Sequence, residues 1–237
     1  PAARHGIAGV DREIDDDLIE LAGVHSHHTD VAAVIHDQFD AFAFYATGDW
    51  TKPVDRPNEP PATEAGVKRL LEAIAAGKGV IGFHAANDAF RSRGDELSPF
   101  VKMIGGEFVS HGRQQEATMK VVSPKFPGME KIKDFRMLEE WYAMKNLAKD
   151  LHVILVQETE GMTDGCYQRP PYPATWARIH GKGRVFYTSL GHREDVWESS
   201  IMKQISLGGL AWVLGEVDFD PVPNIDQVTP GANQLPK

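Results

Sequence analysis

A single cysteine, Cys166, in 237 residues rules out an intrachain disulfide framework and any multi-cysteine zinc site, although it does not fix the compartment. Long apolar runs are missing too. None approaches the roughly 18 to 20 residues a membrane span needs, and no charged, then apolar, then small-residue pattern marks a signal peptide. The sequence starts at Pro1 without a methionine, which leaves an upstream export signal open and the expected location either cytoplasmic or periplasmic in a bacterium. No basic tract occurs, and 25 Lys+Arg against 34 Asp+Glu give a net charge of −9, so nucleic acid is not an expected partner. HExxH, a Walker loop, GxGxxG opening a helix and CxxC are all absent, which removes the footing for nicotinamide and nucleotide-phosphate chemistry.

With 42% hydrophobic and 25% charged residues, the chain has the composition of an ordinary soluble globular protein, and its length suits one sizeable core. Residues 11–21 (DREIDDDLIEL) read as an amphipathic helix. A polar HSHH stretch follows, and residues 39–45 read as a buried strand ending at Thr47-Gly48-Asp49. A Pro-rich loop spans 53–61; residues 62–76 form a helix in which Val67, Leu70, Leu71 and Ile74 share a face, and residues 80–83 are a second buried strand. Strand, helix and strand within about 40 residues make a right-handed crossover. Further strands are expected at 117–122, 152–156, 175–179 and 185–188, some antiparallel because turns as short as Gly181-Lys182-Gly183 link them, and a closing helix at 199–214. The expected fold is α/β: a mostly parallel, flavodoxin-like sheet with helices on both faces and some antiparallel strands. Residues 1–215 form one domain whose first strand is expected upstream. The tail, 216–237, has too few apolar residues for a core and reads as a wrapping or mobile extension.

In open parallel sheets ligands bind beyond the carboxyl ends of the strands. That rule selects Gly48 and Asp49; His84, Asn87 and Asp88; and His192 and Glu194. Gly82-Phe83-His84-Ala85-Ala86 has the small residues of a strand-to-helix elbow, but the displayed residue is an imidazole, suited to proton transfer or metal ligation rather than to acyl-enzyme chemistry. His111 follows another likely strand. Glu139-Glu140-Trp141-Tyr142 joins carboxylates to aromatic faces, which suits sugars, or else marks a helix start with a buried Trp. Cys166 lies in a Gly-rich loop with no basic partner evident, so a reactive thiolate is not expected. His84, His111, His192 and a carboxylate could also hold a divalent metal, a question that spacing alone leaves open.

FYATGD (44–49), GVIGFHAAND (79–88), FVSHG (108–112), LEEWY (138–142) and GRVFYTSLGH (183–192), in this order, resemble the ThuA-like, or trehalose-utilisation, family, relatives in fold of class I glutamine amidotransferases. Coverage runs from about residue 39 to 215. The amidotransferase elbow carries a cysteine where this chain has His84, so thioester glutaminase chemistry is excluded at that site. What the resemblance implies is a carbohydrate substrate, a 3-keto-glycoside made by a partner sugar 3-dehydrogenase, cleaved by elimination and hydration or by hydrolysis. His84 and His192 would be the acid/base pair, with Glu140 and His111 orienting hydroxyls or sharing the proton work. Gly48, Asp49, Asn87, Asp88, Trp141, Tyr142 and Glu194 would bind substrate. A non-catalytic sugar-binding module and a different metal-dependent hydrolase are the alternatives, and the oligomeric state is open.

Overall fold

Thr63 accepts the Gly66 N–H at 2.9 Å and Gly77 stops the helix, so the apolar stripe of the sequence becomes α1 (Glu64–Ala76). It connects β1 (Ala41–Phe44) to β2 (Gly79–Phe83), which pair in parallel. This computed structural model describes residues 39–53 and 61–236; the helix expected at 11–21 and the HSHH run lie outside them. The remaining elements are α2 (Pro99–Ile104), β3 (Glu107–His111), β4 (Gln115–Val121), β5 (Phe135–Glu139), β6 (Tyr142–Lys145), β7 (His152–Gln157), β8 (Tyr172–His180), β9 (Gly183–Thr188), α3 (Glu194–Glu198), α4 (Ser200–Leu214) and α5 (Ile225–Val228).

Among the described residues, seven strands form one sheet in the order β1-β2-β9-β8-β7-β4-β5, while β3 and β6 form a separate antiparallel ribbon. The expectation of a mostly parallel sheet is corrected. Only β1-β2 and β2-β9 are parallel; β9-β8, β8-β7, β7-β4 and β4-β5 are antiparallel, and the sheet is mixed. The reason is connection length: only Gly181 and Lys182 separate β8 from β9, and a link that short can only reverse the chain. Gly181 takes φ 62°, a region that L side chains avoid, which is what the tight reversal requires.

β2 and β9 are covered on both faces, yet their residues still alternate between two cores. Val80, Val185 and Tyr187 join α1 and α2 through Leu70, Ile74, Phe100 and Met103. Ile81, Phe83 and Phe186 join α4 through Met202, Ile205, Trp212 and Val213. Helices therefore cover both faces, as the sequence pattern implied. No described helix is long and apolar enough to cross a membrane.

The tail wraps rather than hangs free. Ile225 and Ala232 enter the core, and His152 Nδ1 meets the Val222 carbonyl at 2.7 Å. Asn224 extends the ladder of β7 at a point where β4 has already ended: its Oδ1 accepts from Val153 N at 2.6 Å and its Nδ2 donates to Val153 O at 3.1 Å. Asn224→Ala leaves both strand groups without these partners. A loss of about 1–3 kcal/mol in urea unfolding is expected, because a stranded backbone group costs its full desolvation.

Candidate active site

The carboxyl ends of β1, β2 and β9 converge with two further corners of the chain. β2 delivers His84, the first residue of a 3-10 turn (His84–Asp88), with φ 36°, a value a non-glycine residue rarely adopts. The Tyr187 hydroxyl donates to the His84 carbonyl at 2.8 Å and holds that elbow. β9 delivers Ser189 and His192; β3 ends at His111, which is in register with Tyr142 of β6. Glu140 sits where the chain leaves β5 of the large sheet and enters β6 of the ribbon.

Glu140 is the hub. Its Oε2 lies 3.4 Å from His84 Nε2 and 3.3 Å from His192 Nδ1, and its Oε1 lies 3.4 Å from His111 Nδ1. The His84 ring is 5.1 Å from that of His192 and 4.0 Å from that of Tyr142. Depth separates the groups: His84 is 2% exposed and Glu140 14%, whereas His192 and His111 are 38% and 44% exposed. Burial pushes His84 below the usual imidazole range, outweighing the hydrogen bond to Ser189 that favours its charged form; the His192 charge lowers it further and Glu140 opposes.

Glu139, next to the hub, is fully buried and has a different task. Its carboxylate accepts from the backbone N–H of Gly191 (2.9 Å), His192 (3.1 Å) and Glu140 (2.7 Å), tying the β9 loop to the β5 corner. Burial raises its pKa against these three hydrogen bonds. The Gly191 carbonyl is fixed in turn by the Tyr45 hydroxyl (3.0 Å) and the Trp197 indole (2.7 Å). Burial, followed by the Glu139 and Glu140 charges, pushes the Tyr45 phenol up and keeps it protonated.

A family model described as ThuA, trehalose utilisation, matches residues 25–213. The chain belongs to the ThuA family. Among solved structures, a ThuA-like protein from Bacteroides uniformis has a TM-score of 0.60 and 18% identity, with 85% of this chain and 83% of that one covered. A ThuA-like protein from Parabacteroides merdae has a TM-score of 0.56 and 18% identity over 99% of this chain and 94% of its own. A cytoplasmic protein from Salmonella typhimurium follows at 0.53 and 12%, over 84% and 80%. No curated protein matches.

In this ThuA-family chain most of the residues expected at the site fall into two groups. His84, His111, His192, Glu140 and Tyr142 come together. Gly48, Asp49 and Asp88 instead line a neighbouring cavity of ≈ 730 Å³, beside Arg91 and Arg93. There the Thr51 hydroxyl, at 2.6 Å, is the main cause holding Asp49 below the ordinary carboxylate range, and Asp88 bonds Thr47 and Arg91. The Arg91 guanidinium over the Phe108 ring (4.7 Å), with Phe108 against Tyr142 (4.2 Å), bridges cavity and cluster.

Three residues stand elsewhere. Trp141 is 0% exposed, packs in the α4-side core and donates its indole N–H to Gln115 O at 2.8 Å, so it offers no face to a sugar. The helix start considered for this segment is a strand corner, across which Trp141 and Tyr142 enter opposite cores. Glu194 is exposed in the first turn of α3, and the carboxylate beside His192 is Glu140. Asn87 is fully buried, and neither atom of its amide has a hydrogen-bond partner among the described residues. Sequence reasoning missed Tyr45 and Ser189, and named Glu139 only as half of the Glu139-Glu140 pair, without its own role. Tyr45 follows β1 directly, and the strand-end rule could have found it.

Proposed function

We propose that this ThuA-family protein is an enzyme that cleaves 3-keto-glycosides by proton transfer at its three-histidine cluster. The observation that carries this reading is three imidazoles gathered around the Glu140 carboxylate at the strand ends. A ketone at C3 acidifies the proton on C2. An imidazole nitrogen takes that proton, the C1–O bond breaks with a proton passing to the departing oxygen, and an unsaturated ketone remains; water then adds across C1 and C2, completing a net hydrolysis.

The rim imidazoles suit the proton work. His111 Nδ1 lies 2.9 Å from Gly112 O, a group that only accepts, so Nδ1 carries the hydrogen and Nε2 keeps the free electron pair. The Glu140 carboxylate lies within 3.4 Å of both rim rings, where its negative charge can balance a ring that has taken a proton. Burial of Trp141 weighs against the sugar-binding-module alternative, because that reading leaned on its ring as a stacking platform.

The test is cleavage of a synthetic 3-keto-glycoside in D₂O, followed by NMR. Elimination and rehydration place solvent deuterium at C2 of the product faster than an enzyme-free control does. His111→Ala and His192→Ala each lower kcat by about 10²–10³-fold, the usual worth of a general acid or base. Cleavage that retains the C2 hydrogen would remove the elimination route, and absence of cleavage would remove the reading.

A further inference from the structure

The three imidazoles differ in what they present to Glu140. His84 Nδ1 lies 3.0 Å from the carbonyl oxygen of Ser189, which can only accept, so Nδ1 carries the ring hydrogen. Nε2 of the neutral ring is then a bare electron pair. It is buried, has no hydrogen-bond partner, and faces a carboxylate oxygen at 3.4 Å. Two acceptors facing each other out of water repel unless positive charge lies between them.

A proton on Nε2 is one such charge. It would make an imidazolium in a site where the ring is 2% exposed, and a charge-assisted N–H···O contact closes to about 2.7–2.9 Å. The observed separation is longer. It matches another geometry: four ligands at about 2.0–2.1 Å around a tetrahedral zinc ion stand about 3.3–3.4 Å from one another. His84 Nε2 to Glu140 Oε2 is 3.4 Å and His192 Nδ1 to the same oxygen is 3.3 Å. Among the described residues this is the only group of three such ligands whose donor atoms all lie within 4.8 Å of one another. The Ser189 carbonyl on His84 Nδ1 supplies the outer partner that metal-bound histidines almost always have.

We infer that His84 Nε2, the Glu140 carboxylate and His192 Nδ1 form a binding site for one divalent transition metal of the zinc class, with a fourth position left for water or substrate. The inference takes the cleft proposed above to be the active site but does not depend on the substrate. With the metal bound, His84 and His192 are ligands and His111 is the imidazole left to move a proton. A ketone oxygen in the fourth position would be polarised, easing loss of the adjacent proton.

Chelator-stripped protein titrated with Co²⁺ or Zn²⁺ tests this. One equivalent per chain, a visible cobalt absorption band and a raised melting temperature are expected. His84→Ala and Glu140→Gln weaken binding at least tenfold, and His192→Ala, at an exposed position, does the same where the buried variants fail to fold. Replacing His25, His27 and His28 together with Ala leaves the site intact. Loss of binding in that triple variant but not in the three site variants overturns the inference, as does the absence of stoichiometric binding or full turnover by protein shown to be metal-free. Stoichiometric binding without cleavage of a 3-keto-glycoside keeps the metal and removes only the substrate reading.

Discussion

Glu140→Gln lowers kcat on a 3-keto-glycoside by about 10²–10³-fold, while the melting temperature of the chelator-stripped protein stays level or rises slightly. Glutamine keeps the size and one oxygen of the side chain but turns the other oxygen into a donor. The amide can point its oxygen at His111 and its NH₂ at His84 and His192, or the reverse. The negative charge that balances an imidazolium or a bound cation is lost in both. Stability moves the other way, because a carboxylate 14% exposed is costly to keep charged and its neutral isostere is not. Steady-state kinetics on the protein as purified and a thermal melt on the chelator-stripped protein check both halves, and a loss in kcat below about tenfold would remove Glu140 from the centre of the chemistry. Glu139→Gln is the contrast. That carboxylate is tied to three backbone N–H groups and touches none of the imidazoles through a hydrogen bond, so its loss shows first as a lower melting temperature.

The different tasks of Glu139 and Glu140 mark the limit of what sequence can show. The strands bearing the cluster were legible because β1, β2 and β9 lie side by side in parallel, and the buried ones read as continuous apolar runs ending in polar residues. His84 and His192 follow from those ends, while His111 closes β3 of the separate ribbon. β5 and β6 were not legible. β5 is an edge strand of alternating partial burial, and Phe135 to Met144 runs across a corner between two sheets with no Gly or Pro to mark it. Without that corner, nothing tells which of two adjacent carboxylates faces the cleft, or which of Trp141 and Tyr142; a one-residue change of register exchanges them. α2 has six residues, too few to show a helical period. The mixed sheet was misjudged by extending the β1-α1-β2 crossover to the whole fold, although the short β8-β9 link already announced reversal.

Gly208→Ala destabilises the protein by about 2 kcal/mol net, despite placing the best helix former inside a helix. The packing around the Gly208-Gly209 pair of α4 supplies the reason. A Cβ on Gly208 would stand 1.9 Å from Pro127 O and 2.3 Å from Pro127 C, both backbone atoms that cannot rotate away. The approach is mutual, since a Cβ on Gly128 would meet Gln204 O of α4 at 2.3 Å. Helix and loop therefore touch backbone to backbone, and the added methyl forces one of them to move. Phe126 precedes that contact and packs against Phe186 (5.7 Å), Trp212 (5.8 Å) and Phe219 (5.1 Å), so displacing the loop opens the core on this face of the sheet. The intrinsic helical gain of alanine over glycine is about 1 kcal/mol, smaller than the cost of forced overpacking against fixed atoms. At about 2–4 °C per kcal/mol for a domain of this size, the melting temperature falls by roughly 4–8 °C. Gly209→Ala costs less, because its Cβ would meet the Phe186 ring at 2.9 Å and a ring can tilt. A Gly208→Ala protein that melts at or above the wild-type temperature would show that the helix and the loop do not lie in backbone contact.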